Sequence, residues 1–528
     1  MPEIVSVALK VGLEVHVELA TRTKMFSRAP NVAHPDHDGA APNTLLDPVV
    51  LGLPGALPVM NRAAVEMSMM VGMALGCTIA PQSRWDRKSY FYPDMPKNYQ
   101  ISQYQLPLCF DGAVDLPEIA EDGTLVDAVP PVRIGIIRAH LEEDAGKLLH
   151  EATGGGRLDW TIIDLNRAGT PLLEIVTQPD FTAADQVVRF AQMLRNVCRF
   201  LGVTEGIMQK GHMRFEPNIN TVLTLADGHV VRTPIVEIKN LNSFKAVRAA
   251  IEFELLEQPR RWREDALEMG PGTKTTRGWE EVPGTDLGGR TFLQRSKEDA
   301  HDYRYFPDPD LPVVVVDEAW RAAVRARVPE LPLARARRYA RDYALSVKEA
   351  AALVEERAVC ELFERAVETT AARGVLPERA GRLCANLVLQ SGAKRANERS
   401  TEAGRPVLVH ELGIDAGQIG VIAALRDAGK IGANAADELF GLLCEPVSVG
   451  TDPETLAQSR GMLLVRDEGA IEAWIAQAIA ENAKPAEDVR AGKMQAIGRL
   501  VGAVMKLSGG TADAADVRAR LLKKLGQG

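Results

Sequence analysis

The sequence predicts an α+β protein, a strand-rich half followed by helices, and three observations carry that prediction. Residues 12 to 19 read Gly-Leu-Glu-Val-His-Val-Glu-Leu, a strict alternation that sets Glu14, His16 and Glu18 on one face of a strand and Leu13, Val15, Val17 and Leu19 on the other. Up to about residue 315, apolar β-type runs are punctuated by glycine and proline, as in short strands joined by turns. From Asp317 the chain turns to Ala, Arg, Glu and Leu with few β-branched runs, the composition of helices.

Ala63 to Leu75, Ala183 to Leu201 and Ala246 to Gln258 carry apolar residues at helical intervals and are expected to cover a sheet. Gly202 suits the residue just past the second helix. Strands are expected at Val132 to Ile137, Thr161 to Leu165, Leu172 to Val176 and Val313 to Val316. The Gly/Pro turn within Asn166 to Glu174 reads as a hairpin, and Gly270 to Gly289 as a surface loop or hairpin. Helices are expected over Ala322 to Arg327, Leu333 to Tyr343 and Ser346 to Thr370, and a last shift near Arg460 leads into Ala470 to Ala483 and a basic tail. The expected domains are residues 1–316, 317–459 and 460–528, in keeping with about two to four cores for a chain this long.

With 46% apolar and 25% charged residues the composition is that of a globular protein, and no stretch approaches the roughly eighteen uncharged apolar residues of a membrane helix. The N-terminus enters strand-like sequence without room for a secretion signal, so a cytoplasmic location without a membrane partner is expected. The six cysteines stand at least 24 positions apart and read as reduced, mostly buried thiols. A net charge of −9 gives no global pull towards nucleic acid, but Arg490 to Gly528 carries eight cations against Asp513 and Asp516, a local basic surface. The Gly-x-x-x-x-Gly-Lys-Ser/Thr and strand-linked Gly-x-Gly-x-x-Gly patterns are missing, which argues against P-loop and Rossmann chemistry. Nor does any Gly/Ser-rich segment display a nucleophilic serine, so amide hydrolysis has no obvious home.

The chemistry lies in acidic clusters. Two carboxylates flanking an imidazole repel unless a cation or proton is shared, and a second cluster, His140-Leu-Glu142-Glu143-Asp144-Ala-Gly-Lys147, comes after a strand-like run. Glu14, His16, Glu142, Glu143, Asp144 and Glu174 are the residues expected to converge. Hard oxygen ligands suit Mg²⁺, which binds through one or two carboxylates plus substrate phosphates, and that chemistry points to ATP. Lys88 and Lys147 could neutralise phosphate, although single lysines more often make surface salt bridges. Glu237 to Ser243 places two amides and a lysine before a helix, an anion site or a cap made by Asn242 or Ser243. His34-Pro-Asp36-His37-Asp38 reads better as an exposed turn than as a metal loop. The polar and aromatic run from Arg295 to Pro307 is too rich to be filler, and spacing alone gives it no role.

These segments, together with Leu51 to Pro58, Asp86 to Asp94, Tyr99 to Tyr104, His301 to Pro312, Gly492 to Gly498 and Leu500 to Lys506, resemble the B subunit of the aspartyl/glutamyl-tRNA(Asn/Gln) amidotransferases, the GatB/GatE family, nearly end to end. The resemblance implies a kinase-like mixed α/β cradle, an all-α helical domain and a small helical YqeY-like tail that binds tRNA. It implies a ligase that forms carbon–nitrogen bonds with glutamine as amido donor. ATP and Mg²⁺ would phosphorylate mischarged Glu-tRNA(Gln) or Asp-tRNA(Asn). Ammonia from an A-type amidase subunit would travel through a tunnel and displace phosphate, with a small C-type subunit completing a heterotrimer. Carried over by position, Glu14, His16, Glu142, Glu143 and Glu174 are the expected catalytic residues. His16, Glu142, Glu143 and Glu174 are the expected metal ligands, with the choice within Glu142 and Glu143 open, and Lys88, Lys147, Asn240 and Arg304 are expected at the nucleotide. Many relatives carry paired cysteines for zinc where this chain, between Met25 and Leu51, has none, so no zinc is expected. Met213-Arg-Phe-Glu-Pro-Asn218 replaces a more usual Arg-Cys-Asp pattern and leaves Glu216 without an assigned role. The competing readings are a non-catalytic tRNA-binding scaffold of the same complex and a free-standing Mg²⁺-dependent kinase, which would leave the basic tail unexplained.

Overall fold

The N-terminal alternation forms the strand Ile4–Glu18, in which Leu13, Val15 and Val17 are almost wholly buried while Glu14 and His16 are half-buried on the opposite face. In the computed structural model, which describes residues 2–118, 130–151, 156–296, 303–448, 450–464 and 468–526, this strand lies in the middle of a thirteen-stranded sheet. Its neighbours are Pro171–Thr177 and Met213–Leu225, both antiparallel. Val132–Glu143 pairs with Pro171–Thr177, and Tyr99–Ser102, Asp86–Ser89 and Phe306–Pro307 continue that side to the edge. Val236–Lys239, Thr275–Glu281 and Gly289–Ser296 extend the other side, the first two pairing in parallel.

One face of the sheet is a core. Leu13, Val15, Val17, Ala139, Leu141, Leu173, Ile175 and Phe215 pack there with residues of the helices Arg62–Ala74, Ala184–Phe200 and Phe244–Asp265. Burying each such aliphatic side chain contributes about 1.5–3 kcal/mol, which pins the register, because a one-residue slip would bring Glu14 and His16 into the core. Asn61 caps the first helix, its side chain accepting from the Ala63 and Ala64 amides, and Ser243 caps the third by accepting from the Ala246 amide. Gly202 takes the left-handed conformation, φ +70°, just past the second.

The structure departs from the sequence reading in several places. Asn166 to Glu174 is not a hairpin: Arg157–Asp164 pairs with Lys147–Glu151 in a separate two-stranded sheet, while Pro171–Thr177 joins the large one. Gly270 to Gly289 does contain a hairpin, between Thr275–Glu281 and Gly289–Ser296. Ser346 to Thr370 breaks into Val347–Leu353 and Arg357–Ala372, the first opened by a capping box of Ser346 and Glu349. Residues 297–302 of the polar, aromatic run lie outside the described residues.

The first compact unit runs to Leu331 and not to residue 316. The helix Glu318–Arg325 belongs to it because Trp320 donates to Glu66 at 2.9 Å, the Arg62 guanidinium lies 4.6 Å from the Trp320 ring centre and Val324 enters the core. Composition changes at 317 because this helix is amphipathic, not because it leaves the sheet domain.

The second unit, Pro332–Gly528, is helical among its described residues. The chain after residue 460 clusters with this unit, yet its helices Glu468–Glu481, Ala483–Arg490, Ile497–Leu507 and Ala514–Lys524 close a core of their own around Ile475, Val489, Leu500, Val504, Val517 and Leu521. Among the described residues no helix is long and apolar enough to cross a membrane.

Candidate functional site

Strand register assembles the site on the open face of the sheet. His16 stands opposite Glu174 on one side and Arg214 on the other, and Glu174 stands opposite His140. His16 Nε2 lies 3.5 Å from Glu174 Oε2, and His140 Nε2 lies 3.8 Å from the same oxygen. Glu142, two positions beyond His140, shares its face, and one ligand atom from each of His16, Glu142 and Glu174 falls within 4.8 Å of the others.

Burial would push His16 down, but the hydrogen bond to Glu174 and the charges of Glu216 and Glu174 outweigh it and raise the imidazole to about 9. Burial lowers His140 to about 4, against the pull of Glu174. Burial and then the charge of Glu174 push the Glu142 carboxyl up to about 7. Burial also works against ionised Glu174, but His140 and His16 hold its carboxyl far below the usual range. In the metal-free protein the His16 contribution to stability is therefore fully present below pH 6.5, its ordinary value, and is lost as pH rises through about 9. NMR titration of metal-free protein is expected to give an imidazole midpoint well above 7, with stability falling between pH 6.5 and 9; a midpoint at or below 6.5 contradicts the assignment.

Glu14 does not join this cluster. Its register partner is Glu216, and with Glu237 these two form a second group of carboxylates within 4.8 Å. Lys239 already sits in that group, 2.5 Å from Glu216 and 3.4 Å from Glu237, and holds the Glu216 carboxyl down despite its burial. Glu143, expected as a possible metal ligand, also stays out: the two-residue period turns it to the other side of its strand, where it pairs with Lys97 and accepts from the Ile101 amide at 3.0 Å.

Asp144 anchors the floor. Arg214 donates to it at 2.6 Å, Arg167 approaches to 3.7 Å, and Arg167 also donates to the Ala145 and Gly146 carbonyls at 2.9 Å. Space at Gly146 is tight, since an added Cβ would stand about 3.0 Å from the Asp164 carbonyl and 3.1 Å from that of Asp94. Burial and the neighbouring Asp144 charge raise Glu18 to about 8, whereas Arg167 and Arg214 overcome burial and hold Asp144 at about 2.

Of the residues expected at a nucleotide, Lys88 is brought to the site, where its charge acts on Glu142 and His140. Lys147, Asn240 and Arg304 are exposed, and no hydrogen bond or ion pair among the described residues ties them to the cluster. Asn240 and Arg304 adopt left-handed backbone, φ +65° and +46°. The His34 to Asp38 segment is a single 3-10 turn, His34 accepting from the Asp36 amide. Sequence reasoning missed Arg138, whose charge acts on Glu174 and His140; extending the alternation from His140 by one step would have found it.

The site fits a hard divalent cation. His16, Glu142 and Glu174 offer one imidazole and two carboxylates, and burial leaves Glu142 short of compensating charge while the two histidines hold Glu174 ionised. Fold and site together define a sheet unit that carries an acid–imidazole cluster on its open face, followed in the chain by a helical unit. Residues 9–322 match the GatB/GatE catalytic domain family and residues 362–525 the GatB domain family. Relatives described as the B subunit of aspartyl/glutamyl-tRNA(Asn/Gln) amidotransferase include those of Thermomicrobium roseum, 43% identical over 97% of each chain, and Janthinobacterium sp. (strain Marseille), 42% identical over 98% of each. A third, from Anaeromyxobacter sp. (strain Fw109-5), is 41% identical, again over 98% of each. The chain belongs to this amidotransferase B-subunit family.

Proposed function

We propose that this chain is the component of a tRNA-dependent amidotransferase that activates the side-chain carboxylate of Glu-tRNA(Gln) or Asp-tRNA(Asn) with ATP and passes it to ammonia, giving Gln-tRNA(Gln) or Asn-tRNA(Asn). The observation that carries this reading is the convergence of His16, Glu142 and Glu174 into one ligand set in which the buried Glu142 lacks compensating charge. Those three residues would hold Mg²⁺, which when bound neutralises the phosphate charge that grows in phosphoryl transfer. His140 sets the ionisation of Glu174 by proximity, and Lys88 and Arg138 stand at the margin where phosphate oxygens need cations. Asp144, held by Arg214 and Arg167, fixes the turn beneath the site. The sequence displays no obvious amide-hydrolysing nucleophile, so glutamine would be hydrolysed on an A-type amidase subunit, with a small C-type subunit completing a cytoplasmic heterotrimer.

The test is conversion of both mischarged tRNAs by the complex assembled with its amidase and small partners, using ammonium as donor. Conversion that needs Mg²⁺ and ATP and fails with Glu142→Gln supports the reading; conversion without ATP contradicts it.

On this reading the tail supplies the tRNA contacts. Lys493, Arg520 and Lys524 are engaged with Asp488, Asp516 and Glu472, whereas Arg499, Lys506, Arg518 and Lys523 are exposed and make no ion pair among the described residues. Changing those four to glutamine is expected to weaken tRNA binding about tenfold or more and flatten its salt dependence while glutamine hydrolysis persists. Unchanged affinity in a titration at fixed salt would remove the tail from the interface.

A further inference from the structure

Lys24 is wholly buried, and among the described residues it makes no ion pair. Its ammonium donates instead to two backbone carbonyls, that of Ala168 at 2.6 Å and that of Leu165 at 3.3 Å. Burial, outweighing the charges of Asp47, Glu143 and Asp164, lowers the amine to about 8, so it is still charged at neutral pH. That charge is a cost to the fold, full below about pH 8 and relieved as pH rises to the ordinary 10.5. An apolar side chain of the same length would fill the space without it. The lysine therefore serves something other than stability.

What it holds is the turn over residues 165–169. Its two carbonyl partners bracket Arg167, whose guanidinium donates to the Ala145 and Gly146 carbonyls at 2.9 Å and stands 3.7 Å from Asp144. Backbone bonds close the circuit: the Met25 amide donates to Gly169, the Gly169 amide to Asp144 and the Asp144 amide to Thr170, at 2.8, 2.9 and 2.9 Å. Gly169 takes φ +80°, and a Cβ there would stand 3.4 Å from Lys24 Cδ, so the lysine stem lines the turn. Asn166 fastens the same turn elsewhere, accepting from the Thr44 and Leu45 amides at 2.9 Å and donating to the Ala41 carbonyl at 2.7 Å. From Asp144 the path to the site is short. Asp144 lies two positions beyond Glu142, and its closest cation, Arg214 at 2.6 Å, stands opposite His16.

We propose that Lys24 is a positioning residue of the carboxylate site: its ammonium clamps the 165–169 turn so that Arg167 keeps Asp144, and with it Arg214 and Glu142, in place. The inference rests on the reading of His16, Glu142 and Glu174 as the metal and phosphoryl-transfer site. An ammonium suits the task because its three donors can hold two carbonyls of one turn at once, and a donor that carries charge binds a carbonyl about twice as strongly as a neutral one. Release of the turn would let Arg167 leave the Ala145 and Gly146 carbonyls, and the end of the strand that carries Glu142 would lose its outer support.

The experiment compares wild type, Lys24→Met, Lys24→Gln, Arg167→Met and the Lys24→Met, Arg167→Met double variant. In the full chain, thermal denaturation, amide hydrogen exchange and Mn²⁺ binding are measured; in the assembled complex, kcat and KM for ATP with mischarged tRNA present. Lys24→Met relieves the buried charge but strands the Ala168 carbonyl, so its melting midpoint is expected within a few degrees of wild type. Exchange at the Asp144 and Gly169 amides is expected to quicken about tenfold or more, the scale of losing a hydrogen bond to a charged group. Mn²⁺ affinity and kcat should fall about tenfold with KM for ATP unchanged, and Lys24→Gln, which keeps an N–H donor, should recover part of both. The double variant is expected to be no worse than the poorer single one, because both changes break the same path. Losses that multiply in the double variant, or unchanged exchange at the turn, overturn the proposal. So does a midpoint far below wild type in both Lys24 variants, which would make the lysine a general support of the fold. If the wild-type complex cleaves no ATP, the catalytic reading falls and the positioning role with it; if it does, and Lys24→Met matches it in kcat and Mn²⁺ affinity, the positioning role alone falls.

Discussion

Glu174→Gln is expected to lower ATP cleavage by the assembled complex at least about a thousandfold, to near the background rate, while the chain still folds. Glu174 faces two histidines at once, 3.5 Å from His16 and 3.8 Å from His140. It is also the carboxylate most firmly held in its charged form. An amide of the same shape keeps the register opposite His16 and His140 but removes one anionic ligand from a set of three. Losing a charged group aimed at developing charge costs about a hundred- to a thousandfold for a single hydrogen-bond donor, and a metal ligand contributes more than one such donor. The measurement is ATP cleavage with mischarged tRNA present, alongside Mn²⁺ binding to the full chain, which should weaken in parallel. Cleavage near the wild-type rate would place the phosphoryl-transfer centre elsewhere.

The largest expected stability effect lies one layer below. Arg214→Met should destabilise the chain by about 3 kcal/mol, because it leaves the buried Asp144 carboxylate facing Glu18 without its closest cation. The value sits at the lower end of the range for a broken buried pair because the Arg214 side chain is 29% exposed and Arg167 remains within 3.7 Å of Asp144. Asp144→Asn in the same background removes the stranded charge and is expected to restore more than half the loss. Thermal denaturation of the full chain reads both; equal midpoints for Arg214→Met and wild type would show that Asp144 needs no guanidinium partner.

Much of this site was legible as period. Glu14, His16 and Glu18 announced themselves by alternation, and the same rule puts Glu142 and Glu143 on opposite faces, although the choice of ligand between them stayed open until the strand pairing was known. Period cannot say which strands become neighbours, however, and there the information in local sequence ends. Glu14 belongs with Glu216 and Glu237 because Met213–Leu225 pairs with the N-terminal strand along most of its length, a non-local choice made by the core face of the sheet. The same limit explains Asn166 to Glu174, where a turn between two strands suggested a hairpin although their pairing partners differ. Composition changes at 317 whereas the first compact unit runs on to Leu331, for a related reason: composition records helix propensity, and Trp320 and Val324 pack on the sheet unit. Lys147 and Asn240 carried the right chemistry for a phosphate but are exposed without a tie to the cluster, a matter of chain path that residue type does not encode.

The most direct test of the central claim is isotope exchange within ATP. Complex assembled with its partners is incubated with Mg²⁺, Glu-tRNA(Gln) and ATP labelled with ¹⁸O at the β,γ bridge, with glutamine and ammonium both withheld. If the His16, Glu142 and Glu174 site phosphorylates the glutamyl side chain reversibly, the label migrates from the bridge to the non-bridge positions of the β-phosphate, requires the mischarged tRNA, and disappears in Glu142→Gln. Migration that persists in Glu142→Gln, or amide formation on later addition of ammonium without ATP cleavage, would contradict the assignment of this site.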